Sequence, residues 1–309
     1  MQKIILFIII MATAYSADAQ SRLLGERSVY TQYFMTPFLV NPGATGQSDY
    51  GQVVANYRNA WATFPGSPRT VTIGYDGALG NRIGIGLIGV SDSYAAFSTT
   101  KGGLNLSYSI DMPNHKIGFG IAGEYVQHSL KGDALVNPIV DAADPLIVDR
   151  LNNNAYLDGS IGIYGTYMNK LTYGIALPSL ISSKLNGGTT TGEKEIGYIA
   201  SVAYRMEIPG KDVVFEPSVY AKKLMFVPFH VDINLKADFL NEKLTAGLIG
   251  SVGAEERIGF LVGTQLSNFG FHYTYNMSLQ QFQNYNNGSH ELSLKLRLQP
   301  YKRAVVPEE

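Results

Sequence analysis

The chain has 309 residues, no cysteine and a formal net charge of −1, which excludes a disulfide-stapled scaffold and gives nucleic acid no electrostatic foothold. Charged residues are only 16% of the chain and hydrophobic ones 45%, with 33 glycines and 20 tyrosines. No stretch after the amino terminus reaches the ~18–20 consecutive apolar residues of a membrane helix, so a helical membrane protein is excluded as well.

Residues 1–19 read as a secretory signal peptide. Lys3 supplies the positive charge, Ile4 to Met11 is an unbroken apolar run, and Ala17, Asp18 and Ala19 form a small-residue cleavage site before Gln20. Residues 20–49 follow without strand-like alternation. This segment carries Tyr33, Phe34, Met35, Phe38 and Leu39, then the turn formers Asn41, Pro42 and Gly46. So much apolar surface is not expected to stand naked in water. The segment is expected in the periplasm, folded into the mouth of a larger domain as a plug or docked on a partner.

From residue 50 onward the pattern alternates with period two. Fourteen strands are predicted: 50–58, 69–77, 82–91, 101–111, 115–128, 156–167, 171–178, 194–206, 211–220, 229–239, 243–252, 256–265, 268–278 and 289–299. Strand 229–239 sets the theme. Phe229, Val231, Ile233, Leu235, Ala237 and Phe239 alternate with His230, Asp232, Asn234, Lys236 and Asp238. In the last strand Leu292, Leu294, Leu296 and Leu298 alternate with Ser293, Lys295 and Arg297. A strand greasy on one side and charged on the other suits a wall between lipid and a wet interior. Backbone groups in lipid must bond within the sheet, so the sheet has to close. Strands near ten residues fit a tilted crossing of ~25–30 Å of hydrocarbon.

The predicted connections support this. Those after even-numbered strands are tight, while those after odd-numbered strands are mostly long, as in outer-membrane barrels with periplasmic short turns. A soluble β-sandwich also alternates, but its strands are typically ~5–6 residues and loop-length parity has no reason to appear. The expectation is an all-β, transmembrane, outer-membrane antiparallel barrel of about fourteen strands over 50–299. Both termini, including the tail 300–309, are placed in the periplasm.

Candidate chemistry is sparse. The run from Gly84 to Gly89 spells a dinucleotide fingerprint but lies inside a strand with no helix after it, so its glycines are read as thinning the inner wall around a folded segment. The histidines, His230 and His272 among them, form no metal spacing and no nucleophile elbow accompanies them. They are expected to face the lumen with Asp232, Asn234, Lys236, Asp238, Lys295 and Arg297. The loop 129–155 carries Asp133, Asp141, Asp144 and Asp149 without calcium-ligand spacing and reads as a solvated lid. Trp61 sits with Arg58 and Asn59 at the outer end of the first strand, as a girdle residue or a binding hot spot. No enzyme, metal or cofactor is expected.

Short elements along the mature chain carry a resemblance. Tyr30, Thr31, Gln32 and Tyr33 precede Asn41, Pro42, Gly43, Ala44, Thr45 and Gly46. Tyr57, Arg58, Asn59, Ala60 and Trp61 precede Gly66, Ser67, Pro68, Arg69 and Thr70, and the last strand opens on Ser289, His290 and Glu291. Together they resemble the PorP/SprF family of Bacteroidetes outer-membrane proteins, associated with type IX secretion and gliding motility. Gly43 and Thr45 stand where that family shows alanines, and Ala60 where glutamine is common. The resemblance implies a non-enzymatic barrel that binds secreted proteins or surface adhesins, periplasmic peptidoglycan-associated or type IX secretion components, and outer-membrane lipid. Tyr33, Asn41, Pro42, Gly46, Arg58, Asn59, Trp61 and Pro68 are then the candidate binding residues. The alternative is a pore or transporter for a small solute, and a barrel enzyme is a weaker third.

Overall fold

The computed structural model describes residues 30–130, 155–181, 183–184, 196–224, 227–253 and 256–300. The signal peptide, residues 20–29, the aspartates of the 129–155 loop and the tail 301–309 lie outside the described residues.

Fourteen long strands form one antiparallel sheet: β1 (Tyr50–Asn59), β2 (Arg69–Leu79), β3 (Ile83–Tyr94), β4 (Phe97–Met112), β5 (His115–Leu130), β6 (Ala155–Tyr167), β7 (Leu171–Leu177), β8 (Tyr198–Tyr204), β9 (Val213–Leu224), β10 (Val227–Phe239), β11 (Leu244–Gly253), β12 (Arg257–Leu266), β13 (Phe269–Ser278) and β14 (Ser289–Pro300). Each pairs with its chain neighbours. The sheet closes where β1 pairs with β14, with Val54 opposite Lys295 and Arg58 opposite Glu291. Two two-residue strands, Ser183–Lys184 on β6 and Met206–Glu207 on β9, complete the pairing. The barrel therefore has no free edge.

Two of the connections predicted to be long are tight hairpins. β3 and β4 pair as far as Tyr94 opposite Phe97, and β9 and β10 as far as Leu224 opposite Val227. The polar residues Ser93, Ser98 and Thr99, and the pair Lys222 and Lys223, break the alternation and hid these extensions: pairing needs only backbone, and beyond the membrane neither face has to be apolar. Long connections remain at 60–68 and 279–288, on the same rim, called here the long-loop end. β7 stops at Leu177 because Pro178 has no N–H to give to the ladder, and Ser179 then turns with φ 54°.

Burial is inverted relative to a soluble fold. Ile73, Ile121, Ile233 and Leu294 are 58, 60, 55 and 53% exposed, whereas Thr72, Asp232 and Thr274 are fully buried. Apolar residues face outward around the sheet and polar ones face inward, so the alternation of each strand separates lipid from lumen. Among the described residues no helix is long and apolar enough to cross a membrane, so the crossing is made by strands.

A polypeptide segment held in the lumen

Residues 30–47 lie inside the barrel, and the exposed Asp49 leads into β1. They form three 3-10 turns, Gln32–Met35, Pro37–Leu39 and Pro42–Ala44. The segment runs along the lumen. Its first residues bond to the long-loop end of β14, and its last to the short-turn ends of β2, β4 and β5.

The short-turn half is fitted by shape. The Asn41 side chain accepts from the Gly43 N–H at 2.9 Å, which shapes the Asn-Pro turn, and its amide donates to the Ile163 carbonyl of β6 at 2.9 Å. The wall opposite is lined by glycines. A β-carbon at Gly120 would overlap the Pro42 main chain, one at Gly162 the Asn41 carboxamide, and one at Gly84 the Thr45 carbonyl. Gly46 turns the chain at φ 67° and donates its N–H to Asp76 at 2.6 Å, while Gln52 donates to the other oxygen of that carboxylate at 2.8 Å. Asn105 and Ser107 of β4 donate to the Phe38 and Thr45 carbonyls at 3.0 and 2.5 Å. Phe38 and Ala44 pack on Val54 and Ile88.

The long-loop half is held by charge. The buried Glu291 carboxylate of β14 accepts the N–H of Thr31 at 2.7 Å, that of Gln32 at 3.1 Å, the Asn56 amide at 2.9 Å and the Thr31 hydroxyl. It thereby satisfies backbone donors at the start of the first 3-10 turn. Gln32 reaches Thr274 of β13 at 2.9 Å. At the next residue, the Tyr33 ring meets Tyr220 of β9 edge-on at 4.8 Å, with the Lys222 ammonium 4.2 Å from its centre. The Tyr33 hydroxyl donates to Asp232 of β10 and accepts from Lys222 at 3.0 Å. Asp232 itself lies 2.5 Å from Lys222 and 3.2 Å from Arg257 of β12. All three charges are buried, and each carboxylate–cation contact offsets the loss of water. Lys295 donates to the Met35 carbonyl at 3.4 Å. Around Tyr33 and Phe34, Ile249 and Leu261 turn inward and close a small apolar core.

Tyr33, Asn41, Pro42 and Gly46 thus lie together in the lumen, while Arg58, Asn59, Trp61 and Pro68 gather at the long-loop rim. There Asn59 accepts from Ser67 at 3.2 Å, the Pro68 carbonyl accepts the Ala60 N–H at 2.9 Å, and Trp61 stacks edge-on to Tyr94 at 6.1 Å. His230, Asp232, Asn234, Asp238 and His272 are buried; Lys236, Lys295 and Arg297 are half-buried on the same inner face. Lys236 bridges Glu216 at 3.2 Å and Asp238 at 3.3 Å. Among the described residues no three His, Cys, Asp or Glu side chains come together as a metal site. Sequence reasoning missed Lys222, Arg257 and Glu291 as partners of the segment. Arg257 and Glu291 were visible on the polar phase of their strands, but Lys222 falls beyond the predicted end of its strand.

A closed sheet, apolar outside and polar within, with its own chain folded through the lumen, defines a membrane-spanning β-barrel with an internal segment. The model of the type IX secretion system membrane protein PorP/SprF family matches residues 24–296. The chain belongs to that family and is an outer-membrane barrel. No curated protein matches it. Among solved structures, the Acinetobacter baumannii outer membrane protein Omp33 is similar over 81% of this chain and 98% of its own, at 8% identity and a TM-score of 0.48. The Ralstonia pickettii toluene transporter TbuX is similar over 85% and 93%, at 10% identity and a TM-score of 0.47.

Proposed function

We propose that this chain is a non-enzymatic component of type IX protein secretion and gliding motility. It binds secreted or cell-surface proteins at the long-loop end and periplasmic machinery at the other. In this reading the short turns, the start of β1 and the end of β14 face the periplasm. The observation that carries it is the segment 30–49. A lumen spanned by polypeptide and hydrogen-bonded to the wall along its course suits a scaffold better than a solute path. Family membership supplies the secretion context.

The test is affinity purification of the full chain from detergent-solubilised membranes, with mass spectrometry, beside planar-bilayer recording of the same preparation. Recovery of type IX components or surface proteins, with little steady conductance, is expected. A steady open-channel current with no such partners would assign the barrel to small-solute transport instead.

A further inference from the structure

The two halves of the lumenal segment are held by different physics. The glycine-lined wall around Asn41 to Gly46 fits one sequence, because added atoms overlap main chain. The wall around Thr31 to Met35 reads mostly features that any polypeptide has. Glu291 takes two successive N–H groups and Lys295 gives to a carbonyl. Thr31, Gln32 and Phe34 add side-chain contacts, and the one pocket that combines charge with an aromatic ring is built for a phenol: Tyr220 against the ring edge, Lys222 over the ring face, and Asp232 and Lys222 on the hydroxyl.

The charges of that pocket have partners besides its present occupant. Asp232 lies 2.5 Å from Lys222 and 3.2 Å from Arg257 in addition to the Tyr33 hydroxyl, so a departing tyrosine would leave each charged group with an ionic partner. Glu291 likewise keeps Asn56 at 2.9 Å. The site also lies toward the long-loop mouth, since Glu291 is in the first turn of pairing of β14, opposite Arg58.

We propose that the inner wall formed by Glu291, Tyr220, Lys222, Asp232 and Arg257 is a binding site for a tyrosine-bearing polypeptide segment, self-occupied by Tyr30–Met35. A partner segment entering from the long-loop mouth exchanges with it. The inference rests on the protein-binding function proposed above and names the chemistry the partner presents: two consecutive amide N–H groups followed by a tyrosine.

The full-length chain carrying Tyr33→Ala is titrated in detergent with a fluorescent peptide of the chain's own residues 30–36, YTQYFMT, and with YTQAFMT. The tyrosine peptide is expected to bind at least tenfold tighter than the alanine peptide, and tighter to Y33A than to the wild-type chain, whose own Tyr33 competes. Equal binding of the two peptides, or binding of neither by a Y33A chain that keeps its β-sheet circular dichroism, overturns the proposal. If Y33A does not fold, Tyr33→Phe keeps the ring, and the tenfold preference must still hold on it. Affinity purification of the wild-type chain separates the two readings. If type IX components are recovered while the peptides fail, the function stands and this site falls.

Discussion

At the residue scale, the glycines of β3, β5 and β6 are the least dispensable side-chain choices in the wall. Gly120 faces the Pro42 main chain so closely that a methyl has nowhere to go. Gly120→Ala is expected to destabilise the folded barrel by about 1–3 kcal/mol, the usual cost of overpacking, seen as a lower urea midpoint in detergent. Gly123 lies on the same strand with open space where a β-carbon would stand; it serves as the control and should tolerate alanine far better. Gly43 stands where the family shows alanine, and here its β-carbon would lie 2.8 Å from the Gly162 carbonyl oxygen, which gives that departure a steric reason. Charge is the other residue-scale determinant. Asp232→Ala removes the single carboxylate between two buried cations. Breaking such a group by deleting one partner costs about 3–5 kcal/mol, so this variant should lose more of its urea stability than Gly120→Ala.

At the scale of elements, each strand is a two-sided object, and the sides answer to different solvents. Leu294→Arg puts a guanidinium on the lipid face of β14 and is expected to cost about 2–4 kcal/mol if it sits at mid-membrane. The check is equilibrium unfolding of the barrel in lipid vesicles; an unchanged midpoint would contradict the lipid contact of that face. The strands and their two faces were legible because period-two alternation is enforced wherever lipid lies on one side. Ile233 and Leu294 outward, with Asp232 and Lys295 inward, follow from that alone. What could not be read was where pairing ends once lipid is absent. Residues 92–94, 97–100 and 221–224 fall outside the predicted strands yet continue as paired strands, and Lys222 was lost with the last of them. The segment 30–49 was legible as something needing cover, from Tyr33, Phe34 and Phe38. Its course was not, because it depends on single contacts made by residues 30 to 260 positions away, such as Gly46 with Asp76 and Thr31 with Glu291.

At the scale of the whole molecule, the segment lies across the path that a conduit would need. Removing residues 31–47 is expected to leave a closed sheet with a wet interior, and single-channel conductance in planar bilayers should rise well above that of the intact chain. Equal conductance would mean that the segment does not govern the passage. The rim offers a further consequence. β4 and β5 are each 16 residues long, whereas a tilted strand needs ~9–11 to cross the bilayer. Their surplus lies at the long-loop end, where Ser98, Thr99 and Thr100 pair with Ser129, His128 and Gln127, a composition at home in water. One side of the mouth therefore rises as a stiff parapet of sheet above the membrane surface. Anything large approaching that mouth meets a lopsided gateway that is hydrogen-bonded on its tall side, and its angle of approach is set before it touches the interior.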